Sequence, residues 1–229
     1  VCQISTFEFF TTESNKDDFE GKRILEVGSR YVNGSVRPFI ERFMNPEKYV
    51  GVDIEKGLYV DEIVSAEGII ERFGKESFDT VITTDMMEHV SDWRLIINNI
   101  KSILKPDGVL YLTTCSYGFP LHNFPNDFWR FEIEDIKRIF SDFEIISLEK
   151  NPEAPGLFMM ARKPKSWKAS DLSSIELYSI TVGNCIDFIP TMDQIPIVRK
   201  LRMKILASSI GQMFRARSLS ILAVLLSIL

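Results

Sequence analysis

With 229 residues, 45% of them apolar and 26% charged, the chain has enough hydrophobic material for one sizeable core and an appendage, which excludes disorder as its main state. Its net charge of −5 excludes a protein built chiefly to grip a nucleic acid backbone, which needs a basic surface. The charge is uneven: residues 1–164 hold 19 Lys and Arg against 28 Asp and Glu, whereas residues 165–229 hold 8 against 4, and a boundary is expected near Lys165.

Taken in chain order, residues 1–21 form a leader, with Phe7, Phe9 and Phe10 expected to pack on the domain that follows. Next, Arg23-Ile24-Leu25-Glu26-Val27-Gly28 is an apolar run that stops at a glycine, and the polar turn 29–34 leads into a helical pattern. There Val36, Phe39, Ile40, Phe43 and Met44 share one apolar face, Ser35 is the expected N-cap, and Pro38 is tolerated in the first turn. A second apolar run, Tyr49-Val50-Gly51-Val52, ends in Asp53 and completes a β-α-β unit, so its two strands should be parallel. Ligands of such units bind beyond the carboxyl ends of the strands, where Gly28 and Asp53 lie.

Residues 59–64 read as a third strand and residues 67–73 as a short helix. The β-branched run Phe78-Asp79-Thr80-Val81-Ile82-Thr83-Thr84 is the fourth strand and leads into Asp85-Met86-Met87-Glu88-His89-Val90. Ser91 is expected to cap a helix whose buried face is Trp93, Ile96, Ile97, Ile100 and Leu104, and Lys105-Pro106-Asp107-Gly108 ends it. Residues 109–114 are the fifth strand, residues 116–131 a long aromatic loop, and residues 132–140 a helix. The runs 143–148 and 157–161 are joined by too few residues for a crossover, so they should pair antiparallel. The fold expected is α/β: a doubly wound, mostly parallel seven-stranded sheet with a C-terminal antiparallel hairpin and a helical tail.

Cys2, Cys115 and Cys185 are widely spaced and include no C-x-x-C pair, so neither a disulfide framework nor a zinc site is expected. That cysteine usage makes a reducing cytoplasm the expectation, and no signal peptide is legible. In the tail, residues 198–214 combine an apolar face with Arg199, Lys200, Arg202 and Lys204. That pattern suits a peripheral helix on the inner membrane face, a helix packed on the domain, or a homodimer contact. The final run, residues 219–229, is too short to span a bilayer.

A pyrophosphate-binding turn needs G-x-G-x-x-G, and Arg30 stands where the second glycine would be, which disfavours NAD. The order Ile-Leu-Glu-Val-Gly, Val-Gly-Val-Asp, Phe-Asp-Thr-Val-Ile, Met-Glu-His-Val and Leu-Lys-Pro-Asp-Gly-Val-Leu resembles the class I S-adenosylmethionine-dependent methyltransferases over residues 23–164. The Asp-Phe-Trp-Arg run resembles the branch that acts on small molecules. The resemblance implies a methyltransferase domain over residues 22–164, between the leader and a basic, amphipathic extension at 165–229. Its cofactor would be S-adenosylmethionine and its acceptor a small molecule or a glycan or lipid precursor. The alternative is a cofactor-binding or interaction module that kept the fold without turnover.

On this resemblance Glu26, Gly28, Ser29 and Asp53 hold the cofactor, with Glu26 bonded to its amino group or to amides of the turn and Asp53 to its ribose. Ile54, Ala66 and Glu67 meet the adenine, and Asp85 lies near the transferred methyl. His89, of the Glu88-His89 pair, and His122 are the candidates for a general base, with a loop-ordering role as the alternative. Tyr117, His122, Asp127, Trp129 and Arg130 belong to the loop expected over the acceptor.

Overall fold

The computed structural model of the chain describes residues 4–123, 125–191 and the single positions 193, 195, 197, 200, 201 and 204. Seven strands make the main sheet: β1 (Arg23–Val27), β2 (Lys48–Asp53), β3 (Glu62–Ile63), β4 (Phe78–Thr84), β5 (Leu104–Cys115), β7 (Glu144–Lys150) and β8 (Gly156–Arg162). Their order is β3-β2-β1-β4-β5-β8-β7. Strands β1 to β5 pair parallel, while β8 runs antiparallel to both β5 and β7, as the short link between them requires. The direction of strand addition reverses between β1 and β4, which opens a crevice at their carboxyl ends.

Helices cover both faces, so the central strands are apolar on both sides. On one face α1 (Ile4–Glu13) and α2 (Arg37–Phe43) bury Phe9, Phe10, Val36 and Ile40 against Ile24, Tyr49, Tyr111 and Phe158. On the other, α3 (Ile69–Phe73), α4 (Trp93–Ile103) and α5 (Ile133–Ile139) bury Ile69, Trp93, Ile100 and Ile136 against Leu25, Val50, Val81 and Leu110. Ile24 and Leu25, neighbours in sequence, thus enter different cores. Helix α5 begins with a reciprocal capping box between Glu132 and Asp135.

Several boundaries differ from the sequence expectation. Asp92, not Ser91, caps α4, its carboxylate accepting from the Leu95 amide at 3.1 Å. In α2 the Ser35 hydroxyl does accept from the Arg37 amide, at 3.1 Å, but Phe43 is 61% exposed instead of joining the buried face. The third strand shrinks to two residues because Tyr59 takes a left-handed φ of 68° and turns the chain. That turn brings the Asp61 carboxylate to the Gly51 amide at 2.7 Å and to Arg37 at 2.7 Å. Strand β5 starts earlier than expected, with an irregularity in its pairing to β4 opposite Phe78–Thr80.

A second, three-stranded antiparallel sheet joins β6 (Trp129–Arg130), β9 (Leu177–Ser179) and β10 (Cys185–Ile186). Across the composition boundary at Lys165, Leu172, Ile175, Leu177 and Ile186 are buried in the same core as α4 and α5. The expected helix at 198–214 and the run 219–229 lie, apart from positions 200, 201 and 204, outside the described residues. Among the described residues, no helix is long and apolar enough to cross a membrane.

Candidate active site

The carboxyl edge of β1, β2 and β4 gathers Glu26, Gly28, Ser29, Asp53, Ile54 and Asp85. Gly28 adopts φ 80°, and a Cβ there would stand 2.7 Å from Cγ of Met86, so the turn closes tightly against the end of β4. Asp53 shapes the neighbouring loops: Oδ2 accepts from the Arg30 amide at 3.2 Å and Oδ1 from the Glu55 amide at 3.0 Å. Each oxygen retains acceptor capacity for a ligand hydroxyl. Ile54 is 68% exposed beside it, an apolar surface open to a flat ring. Ala66 and Glu67 lie between β3 and α3, held by Asn99, whose amide donates to both their carbonyls at 3.1 and 3.0 Å.

Two of these residues turn inward. Ser29 is buried and its hydroxyl donates to the Tyr59 carbonyl at 2.9 Å, so it fastens the β2–β3 loop rather than offering its Oγ to a ligand. Glu26 is buried as well and accepts from the Tyr49 hydroxyl at 2.9 Å. Burial lifts its carboxyl from 4.5 to about 7, against the opposing pull of the Tyr49 bond and the Arg37 charge. Neither Tyr49 nor Arg37 was legible as a partner in the sequence. A buried carboxylate announces that it needs one without saying where along the chain it lies.

At the end of β4, Asp85 has a left-handed φ of 49° and accepts from the Thr113 hydroxyl at 2.9 Å. Burial, and then the charge of Glu88, raises its pKa. Glu88 is fully buried in the 3-10 turn Met87–His89 and accepts from Thr114 at 3.0 Å and from the Cys115 thiol at 3.1 Å. Burial and that carboxylate push the Cys115 thiol far up, which leaves it inert.

The two histidines, 33 residues apart in sequence, meet: Nε2 of His89 and Nε2 of His122 are 3.0 Å apart. Nδ1 of His89 faces the Asn126 carbonyl at 2.5 Å, and Nδ1 of His122 faces Oδ2 of Asp127 at 3.0 Å. Burial lowers the pKa of His122, but the Asp127 bond and the charges of Asp127 and Glu88 outweigh it and leave it raised.

The loop after β5 is organised by its own interior. Asp127 and Arg130 form a buried pair through Nη1–Oδ1 at 2.5 Å and Nη2–Oδ2 at 2.9 Å. Arg130 also donates to the carbonyls of Phe119, Pro120 and Trp129, and the Trp129 indole donates to the Val90 carbonyl at 2.9 Å. Asp127, Trp129 and Arg130, expected to touch an acceptor, are therefore turned inward and spend their polar atoms on the loop. Tyr117 remains exposed, edge-on to Tyr178 at 4.9 Å. The two tyrosines line a cavity of about 680 Å³ with Ser116, Glu132, Lys150 and Cys185. It lies beside the end of β5 and does not take in Glu26, Gly28 or Asp53.

Residues 6–169 match a family model described as a methyltransferase domain. Among curated proteins, the chain is 26% identical over 132 residues to a ubiquinone biosynthesis O-methyltransferase of Pasteurella multocida, covering 50% of this chain and 54% of that one. It is 25% identical over 134 residues to a histidine protein methyltransferase 1 homolog of Dictyostelium discoideum, covering 52% and 42%. The chain thus spans about half the length, or less, of the curated relatives it matches. Among solved structures, a SAM-dependent methyltransferase from Aquifex aeolicus aligns with TM-score 0.54 at 13% identity, over 70% of this chain and 92% of that one. A 1,6-didemethyltoxoflavin-N1-methyltransferase from Burkholderia thailandensis, with S-adenosylhomocysteine bound, aligns with TM-score 0.52 at 15% identity, over 63% and 72%. At these identities the structural likeness is one of fold.

Proposed function

Because the chain belongs to the methyltransferase-domain family, we propose that it transfers a methyl group from S-adenosylmethionine to a hydroxyl of a small organic acceptor. The observation that carries this reading is the convergence of Gly28, Asp53 and Asp85 on the crevice between β1 and β4, with the histidine pair beside it. The residues suit the cofactor. Asp53 has carboxylate capacity for the ribose, and Ile54 offers an open apolar surface for the adenine.

When bound, S-adenosylmethionine supplies an electrophilic methyl on a sulfonium. A hydroxyl that took this methyl, with the thioether as leaving group, would have to lose its proton. The protein's part is mainly alignment, worth on the order of 7–11 kcal/mol for a well-oriented pair. Asp53 and the Gly28 turn fix the donor side. The loop pinned by Arg130 fixes the acceptor side, where it holds His122 against His89. The facing imidazoles of His89 and His122 are the groups that assist the loss of that proton. Relatives named for O-methylation in ubiquinone biosynthesis support a hydroxyl acceptor.

Calorimetric titration with S-adenosylmethionine and with NAD tests the cofactor, and label transfer from methyl-labelled cofactor into metabolite extracts tests the acceptor. Saturable binding of the first nucleotide alone, with label appearing in a small hydroxylated product, is the expected result. Binding without transfer to any extract would favour a module that kept the fold and lost turnover.

A further inference from the structure

The arrangement of the two histidines demands a positive charge between them. The Asn126 carbonyl can only accept, so Nδ1 of His89 carries the hydrogen. Asp127 is an ionised carboxylate paired with Arg130 and likewise only accepts, so Nδ1 of His122 carries the hydrogen too. In the neutral rings both Nε2 atoms are then bare lone pairs, and they face each other at 3.0 Å. Oε1 of Glu88 lies 3.9 Å from Nε2 of His89, and one ligand atom from each of the three residues falls within 4.8 Å of the others. Among the described residues, no lysine or arginine pairs with Glu88, which is fully buried.

We propose that Glu88, His89 and His122 form a binding site for a divalent first-row transition ion, zinc foremost. Two imidazoles and one carboxylate are the ligand set of an open zinc site, with a fourth position left for solvent or an acceptor hydroxyl. Imidazole donors favour such ions over magnesium or calcium. Two nitrogens on one zinc stand roughly 3.3 Å apart for bonds of about 2.0–2.1 Å, so the pair at 3.0 Å has only to open slightly. The surrounding bonds are those that orient metal-ligating histidines: one Nδ1–H on a backbone carbonyl, the other on a carboxylate itself held by Arg130. A proton shared between the rings would offset the Glu88 charge as well, but only an ion can also take an oxygen of Glu88 as a third ligand. Both imidazole side chains are 25% exposed, so the site is open to solvent. There the ion lowers the pKa of a bound hydroxyl.

The ion's role rests on the methyl-transfer reading, but its uptake does not and is measured without cofactor or acceptor. Chelator-treated full-length protein, made without a polyhistidine tag, is titrated with Zn²⁺ by calorimetry and with Co²⁺ by visible absorption. One saturable equivalent is expected, unchanged in Cys185→Ser and weakened at least about 100-fold in His89→Gln and in His122→Gln. The chain has only two histidines, so ¹⁵N spectra of the wild-type imidazoles give a second readout that needs no variant. Zn²⁺ should move both Nε2 signals together. No saturable uptake, uptake that survives both substitutions, or imidazole signals indifferent to Zn²⁺ would each overturn the site and leave a shared proton between the rings.

Discussion

Replacing Glu26 with Gln should change how stability depends on pH, because burial holds this carboxyl at about 7 instead of 4.5. A carboxyl with a raised pKa keeps its proton more tightly in the folded chain than in the unfolded one. Its contribution is fully present below about pH 4.5 and is lost as the pH rises through about 7. The rise from 4.5 to about 7, at about 1.4 kcal/mol per pH unit, corresponds to a loss of about 3 kcal/mol. Glutamine keeps an acceptor for the Tyr49 hydroxyl but cannot ionise, so Glu26→Gln should lack that loss. Urea unfolding of both proteins at pH 4.5 and pH 8 measures it: the wild type should fall by about 3 kcal/mol relative to the variant. A cofactor ammonium near Glu26 would draw the proton off, so S-adenosylmethionine should also bind the wild type more tightly above pH 7. Parallel stability profiles for the two proteins would refute the argument, since they would mean that Glu26 titrates in the folded chain as it does in the unfolded one.

Asp53→Ala should weaken S-adenosylmethionine binding by about 1–3 kcal/mol in calorimetry while the protein stays folded. Gly28→Ala places a Cβ against Met86 in a left-handed turn, and should cost about 1–3 kcal/mol in thermal unfolding as well as cofactor affinity. Asp127→Ala leaves Arg130 buried without its partner and should lower stability by about 3–5 kcal/mol, measured by denaturant unfolding. Once an acceptor is known, His89→Gln and His122→Gln should each lower turnover with cofactor affinity intact, and the double variant should be little worse than either alone. Leu177→Ala, beyond Lys165, should cost about 2–5 kcal/mol, because this residue is fully buried in the main core.

The sequence by itself determined the order and type of the elements that build the seven-stranded sheet. Runs such as Ile24–Val27 and Phe78–Thr84 are rich in apolar and β-branched residues because both faces of the sheet are covered, and the link 151–155 is too short for anything but an antiparallel return. It also determined that Gly28 and Asp53 stand at one edge, since a parallel β-α-β unit leaves them nowhere else. These features follow from periodicity within about ten residues and from chain connectivity. Only the tertiary structure decided the partners. Tyr49 reaches Glu26 across 23 positions, His122 reaches His89 across 33, and the segment after Lys165 closes over the loop through β9. It decided as well that Asp127, Trp129 and Arg130 face inward, although their types and spacing look like those of residues that touch a substrate. The physical reason is that a polar side chain is committed by whichever donor or acceptor packing brings within 3 Å, and that neighbour is fixed by the fold rather than by the residues beside it in the chain.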